Sequence, residues 1–282
     1  IYQNFAKLYR FANPEQRTFM ALYFKRYELA IMKECLRKVF DKGHAELDLS
    51  LFKDFFDRHS KLNIEKLANS STVEEFISNL EGSEYYKPLK KLGNDYTPRI
   101  FDYGMALDQY YFANIWSVKE KLFKKRDLEE ITKAYGNKFD MLNLQWIYRA
   151  KKYYHMLAPD IYTLLIPIQH KLSNQEFKDL VEAPSVEEFK RRLNETYYGK
   201  KYEFGEQVQI ESIVNECVEH ILTIAYRNHP YSLASMQQYL FLKEEEIYKI
   251  TTALECIRYG LSQRETLQYL VQKQRRQGGN AS

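Results

Sequence analysis

The chain has 282 residues, enough for one large domain or two to three smaller ones, each with its own core. A formal net charge of +4, from 42 basic and 38 acidic residues, is too evenly balanced for a nucleic-acid binder, which needs a concentrated basic face. Ten glycines and seven prolines leave few breaks and favour long helices; no apolar run approaches the ~18 residues of a membrane span. The cysteines, Cys35, Cys217 and Cys256, are far apart in helical patterns, so a reducing compartment is expected rather than a disulfide framework.

Residues 1–11 read as the end of a helix, with Phe5, Leu8 and Tyr9 on one face. The chain starts at Ile1 inside that pattern, without a signal peptide, and residues before it are expected. Asn13-Pro14-Glu15-Gln16 is a helix start: a cap, a proline in the first turn and a glutamine at the third position. That helix is expected to run to about Asp41 and stop at Gly43. Leu47 to Phe56 reads as a short apolar segment and Asn63 to Ala68 as a short helix. Thr72-Val73-Glu74-Glu75 is a capping box, in which hydroxyl and carboxylate satisfy reciprocal backbone donors. A long helix follows from Pro98 to Phe123; another opens at Asp127, and Gly136 interrupts it.

Asn143 to Leu172 reads as one helix and then a second element. Leu144, Ile147, Ala150, Tyr154 and Leu157 form a stripe, with Arg149, Lys151 and Lys152 opposite. Ser185 opens a second capped helix, and Gln207 to Arg227 a long one. Tyr231 to Met236 leads into a helix from Gln237 to Tyr259, closed by Gly260. Ser262 and Glu265 cap a last helix to about Gln274, and residues 278–282 are a tail. No period-two alternation is long enough for a sheet, so the class is all-α.

The pattern repeats. Thr72, with Val73, Phe76 and Leu80 behind it, recurs 113 positions later as Ser185, with Val186, Phe189 and Leu193; Leu67 pairs with Leu180 and Tyr85 with Tyr198. Leu22–Arg37 and Leu240–Arg258 echo the stretch from Asn143: an aromatic-rich start, a charged patch, then an apolar run.

Chemistry is harder to find. There is no glycine-rich phosphate loop. The six histidines, His44, His59, His155, His170, His220 and His229, are dispersed and lack ligand spacing. Glu74-Glu75 and Glu187-Glu188 are explained by capping and the helix dipole. Lys273, Arg275 and Arg276 are expected to complement a helix C-terminus, the alternative being contact with anionic lipid headgroups. No catalytic residue, metal or cofactor is expected. The residues describe a helical protein that works by contact.

FKRYELAIMKECLR near the start, LQWIYRAKKYYHM in the middle and SLASMQQYLFLKEEEIYKITTALECIRYG near the end resemble the C subunit of the V/A-type rotary ATPases, the counterpart of the eukaryotic d subunit. Leu165-Ile166-Pro167 and the block Lys243 to Ile247 carry the likeness further, and it runs from about residue 5 to 272. The resemblance implies an all-α funnel of three similar domains about a pseudo-threefold axis. These are expected at 1–62 (N-terminally incomplete), 63–172 and 173–277. It implies a non-catalytic subunit at the cytoplasmic face of the membrane, coupling the D and F subunits of the central shaft to the proteolipid rotor ring. Arg26, Glu28, Arg149, Lys151, Lys243 and Glu246 are then expected to line the socket for the shaft, each at the charged start of its repeated helix. The alternative is a helical-repeat scaffold outside any ATPase.

Overall fold

The computed structural model describes residues 2–41, 49, 53–92, 98–202, 204 and 210–271. Among them every regular element is helical. The expected stop at Gly43, His44, half of the segment 47–56, residues 207–209, the end of the last helix at Gln274, the basic residues Lys273, Arg275 and Arg276, and the tail 278–282 lie outside the described residues. Two compact units form, Tyr2–Phe123 and Lys124 onward. Their boundary falls inside the segment 63–172 expected from the sequence as one repeat.

The N-terminal unit holds α1 (Tyr2–Phe11), α2 (Pro14–Phe40), α3 (Lys53–His59), α4 (Ile64–Ala68), α5 (Val73–Ser78), α6 (Tyr86–Lys90) and α7 (Ile100–Leu122). α2 starts where the sequence places it: Asn13 Oδ1 accepts from the Gln16 N–H at 2.8 Å, and Gln16 Oε1 accepts from the Asn13 N–H at 2.9 Å. Phe19, Met20, Met32, Cys35 and Leu36 are buried along it, against α4, α5 and α7. Burying a Phe, Met or Leu side chain contributes about 1.5–3 kcal/mol. Aromatic rings tie α1 and α3 onto α2: Phe55 lies 4.8 Å from Tyr2 and 5.3 Å from Phe24, centroid to centroid.

The C-terminal unit holds α8 (Lys125–Lys152), α9 (Ala158–Leu164), α10 (Asn174–Val181), α11 (Val186–Glu195), α12 (Tyr197–Lys201), α13 (Ile210–Asn228), α14 (Leu233–Arg258) and α15 (Gln263–Val271). α8 is its axis and packs against α13, α14, α11 and α9. Leu144, Ile147, Leu180, Phe189, Leu193 and Ile213 form the centre of the core.

Several expectations are corrected here. Gly136 does not interrupt α8. A Cβ there would lie 2.5 Å from Cγ of His170, so the glycine admits the imidazole against an unbroken helix. The stripe from Leu144 ends with the helix at Lys152; Tyr154 and Leu157 are exposed, and Leu157 is the N-cap of α9. The carboxylates of the two capped helices do not close capping boxes. Glu75 accepts from the Ser71 N–H at 2.8 Å, one residue before the cap. Glu188 is taken by Arg191 and Arg192. The hydroxyl halves stand, with Thr72 and Ser185 each accepting at 3.1 Å. Gly260 closes α14 as expected: at φ +73 it donates to Ile257 O, and Leu261 donates back to Cys256 O at 3.0 Å.

Candidate contact surfaces and the polar nodes behind them

A buried carboxylate stands at the middle of the long helix in each unit. Glu28 on α2 accepts from the Tyr85 hydroxyl at 2.6 Å and from the Ser60 hydroxyl. Asp140 on α8 accepts from the Tyr198 hydroxyl at 2.9 Å and from the backbone N–H groups of His170 (3.0 Å) and Lys171 (2.6 Å). Burial pushes both carboxyls above their ordinary range; the hydrogen bonds work in the opposite direction. Each tyrosine follows a capped helix and sits at the start of the next short one, and burial raises its phenol.

The two nodes set the register of the repeat. Tyr85 and Tyr198 are 113 apart, Glu28 and Asp140 one fewer. A third match agrees: Lys38 Nζ donates to Ala68 O at 2.9 Å, and Lys151 Nζ to Val181 O at 2.6 Å. In this register Leu22–Arg37 corresponds to the stretch from about Ala134 to Arg149, not to Leu144–Leu157. Arg26 then falls opposite Lys138, and Arg37 opposite Arg149. The misleading signal was charge density, which recurs at both ends of α8. A better one was present: an acid followed by apolar residues one, four and eight positions on. It reads Glu28, Leu29, Met32, Leu36 on α2, and Asp140, Met141, Leu144, Tyr148 on α8. On α14 it reads Glu246, Ile247, Ile250, Leu254.

The six expected socket residues divide. Glu28 is buried, and both its oxygens are used within its own unit. That carboxylate is a packing node, and its placement in a socket is corrected. Lys151 is half-buried, with its Nζ between Val181 O and Ala183 O, both at 2.6 Å, and burial lowers its pKa. It caps the carbonyl end of α10. Arg26 is half-buried, with its guanidinium over Tyr23 at 4.9 Å and donating to the Tyr23 hydroxyl at 2.7 Å. Arg149 is exposed. Lys243 and Glu246 form a 2.6 Å pair on the outer side of α14.

The sequence pattern gave no sign of how much of α14 is uncovered. Ile247, Ile250, Leu254 and Ile257 fall on one stripe, and Ile257 is 66% exposed. Tyr248 and Tyr259 extend the patch. Contiguous apolar surface of this kind marks an interaction site. Among the described residues no group of three or more His, Cys, Asp or Glu could hold a metal ion, and no helix is long and apolar enough to cross a membrane. The three thiols are buried; burial pushes Cys35 up to about 12 and Cys217 to about 11, away from nucleophilic chemistry.

The described residues are thus all-helical, with one buried acid–tyrosine node recurring on two long helices and an exposed apolar stripe on a third. The chain belongs to the ATP synthase (C/AC39) subunit family, whose model matches residues 1–269. It is 26% identical over 199 residues to the C subunit of the A-type ATP synthase of Methanocaldococcus jannaschii, covering 68% of this chain and 48% of that protein. It is 27% identical over 208 residues to the corresponding A-type protein of Archaeoglobus fulgidus, covering 71% and 56%. To that of Methanosarcina barkeri it is 24% identical over 263 residues, covering 91% and 70%. The chain thus spans about half the length of the first two. The family sets aside the scaffold outside any ATPase, and these relatives are of the A-type.

Proposed function

We propose that this chain is a non-catalytic coupling subunit of an A-type ATP synthase. It joins the central shaft, made of the D and F subunits, to the proteolipid rotor ring, as a peripheral subunit on the cytoplasmic face of the membrane. The observation that carries the reading is the family match across residues 1–269. The fold is consistent with it. α8 runs 28 residues, about 42 Å at 1.5 Å per residue, and is braced along its length by other helices. Stiffness of this kind suits a part that must pass torque.

The long helices α2, α8 and α14, each with an acid followed by apolar residues one, four and eight positions on, are the repeated element that supports this reading. Arg149, Lys243, Glu246 and Arg26 are the charges we assign to the shaft. The test is a binding titration against the isolated D–F pair with the double variant Arg149→Glu, Lys243→Glu. Affinity should fall, and fall further at low ionic strength, because exposed charge contacts are screened by salt. Unchanged affinity at both salt concentrations, with normal thermal unfolding, would return these residues to the solvated surface. Failure of the unmodified chain to bind either the D–F pair or solubilised rotor ring would remove the coupling role itself.

A further inference from the structure

A cleft of about 490 Å³ opens in the C-terminal unit between the end of α8 with its link to α9 and the turn from α10 to α11. That is within the usual size range of ligand pockets, roughly 300–1,000 Å³. One side carries Lys151, Lys152 and His155, and the only acid among the lining residues is Glu182. The walls are otherwise largely apolar, with Met156, Leu157 and Val186 among them.

The two lysines are held by neutral partners. Lys151 Nζ is fixed by the carbonyls of Val181 and Ala183. Lys152 Nζ donates to the Tyr148 hydroxyl at 2.8 Å and lies 5.1 and 5.2 Å from the Tyr148 and Tyr153 rings. Among the described residues neither lysine makes an ion pair, and Arg192 adds further positive potential at Lys151. His155 is set at the cleft in a left-handed turn, φ +48, a conformation that side chains adopt at a cost. Leu157 is 72% exposed, and Tyr153, Tyr154 and Tyr162 extend the apolar surface beside it.

We infer that this cleft binds an acidic peptide segment of a partner protein, one in which a carboxylate is flanked by an apolar side chain. The carboxylate meets Lys152 and His155, which no described acid pairs. The apolar side chain lies on Leu157 and Met156. Charge complementarity selects this occupant over a basic or neutral segment, which would leave Lys152 and His155 without a counter-charge.

The test uses the full chain and a fluorescein-labelled decapeptide of alternating leucine and glutamate, read by anisotropy. The matched peptide with glutamine in place of glutamate should bind roughly tenfold more weakly, as should the glutamate peptide to the Lys152→Glu, His155→Glu double variant. The single variant Leu157→Ser, which leaves charge unaltered, should cost roughly threefold. Circular dichroism melting checks that each variant folds. Equal binding of both peptides, or full affinity in both variants, would overturn the inference. So would an absence of binding up to about 1 mM peptide. If inorganic phosphate competes fully and Leu157→Ser has no effect, the cleft is a simple anion site and the peptide assignment fails. The shaft titration reads Arg149 and Lys243 rather than this cleft, so the two readings fail separately.

Discussion

α8 and α14 are neighbours in one unit, 28 and 26 residues long, and both carry an acid followed by apolar residues one, four and eight positions on. Their fates differ. On α8, Asp140, Met141, Leu144 and Tyr148 are all buried; on α14, Glu246, Ile247, Ile250 and Leu254 are all exposed. An apolar stripe is therefore an offer of a core. Whether it becomes one depends on what lies over it. On α8, α10 to α13 supply the cover, with Tyr198 to meet the acid. Over the stripe of α14 no described residue does the same.

The sharpest way to break this contrast is to shorten one side chain on each stripe. Leu144→Ala should cost about 2–5 kcal/mol in urea unfolding, since it empties a core site. Leu254→Ala should stay within about 0.5 kcal/mol, as an exposed site does. Similar losses at both would mean that α14 is already covered. The acids come next. Asp140→Ala leaves the N–H groups of His170 and Lys171 without an acceptor, which should cost about 3 kcal/mol. Glu246→Ala should leave the unfolding midpoint unchanged.

Gly136 gives a smaller effect. Alanine there gains about 1 kcal/mol of helix propensity, but its Cβ collides with the His170 ring, an overpacking worth about 1–3 kcal/mol. The net should be a loss of about 1 kcal/mol, read by thermal unfolding, and His170→Ala should relieve it in the double variant.

The smallest expected effect is the pH dependence of Glu28. Its carboxyl is raised above 4.5 chiefly by burial, so the folded chain holds that proton more tightly than the unfolded one. The resulting stabilisation is complete below the ordinary range and is lost as pH rises through the raised value. Glu28→Gln removes the titration. The difference in melting midpoint, variant minus unmodified chain, should therefore increase between pH 4.5 and neutrality. A flat difference would place the ionised form in the fold at no cost.

Much of this was legible in the sequence. Asn13, Thr72, Ser185 and Ser262 mark helix starts through local hydrogen bonds that need no tertiary partner. The Tyr85–Tyr198 offset is visible for the same reason that it matters: a large residue with one polar atom recurs where a buried acid awaits it. The inward turn of Glu28 was not legible, because its partners Ser60 and Tyr85 are 32 and 57 residues away. The cleft was not legible either, since the α8–α9 link and the α10–α11 turn meet only in the fold. Gly136 misled because a glycine inside a helical pattern reads the same whether it breaks the helix or admits a ring.

The bare stripe of α14 has a consequence for the chain in solution. Removing even part of Ile247, Ile250, Leu254 and Ile257 from water is favourable by about 25 cal/mol per Å². Any cover will do, including the same stripe on another molecule. Mass action then couples folding to association, and the melting midpoint of the isolated chain should rise with its own concentration. Binding of the natural cover would compete with that association, so dilution and complex formation should both dissolve it.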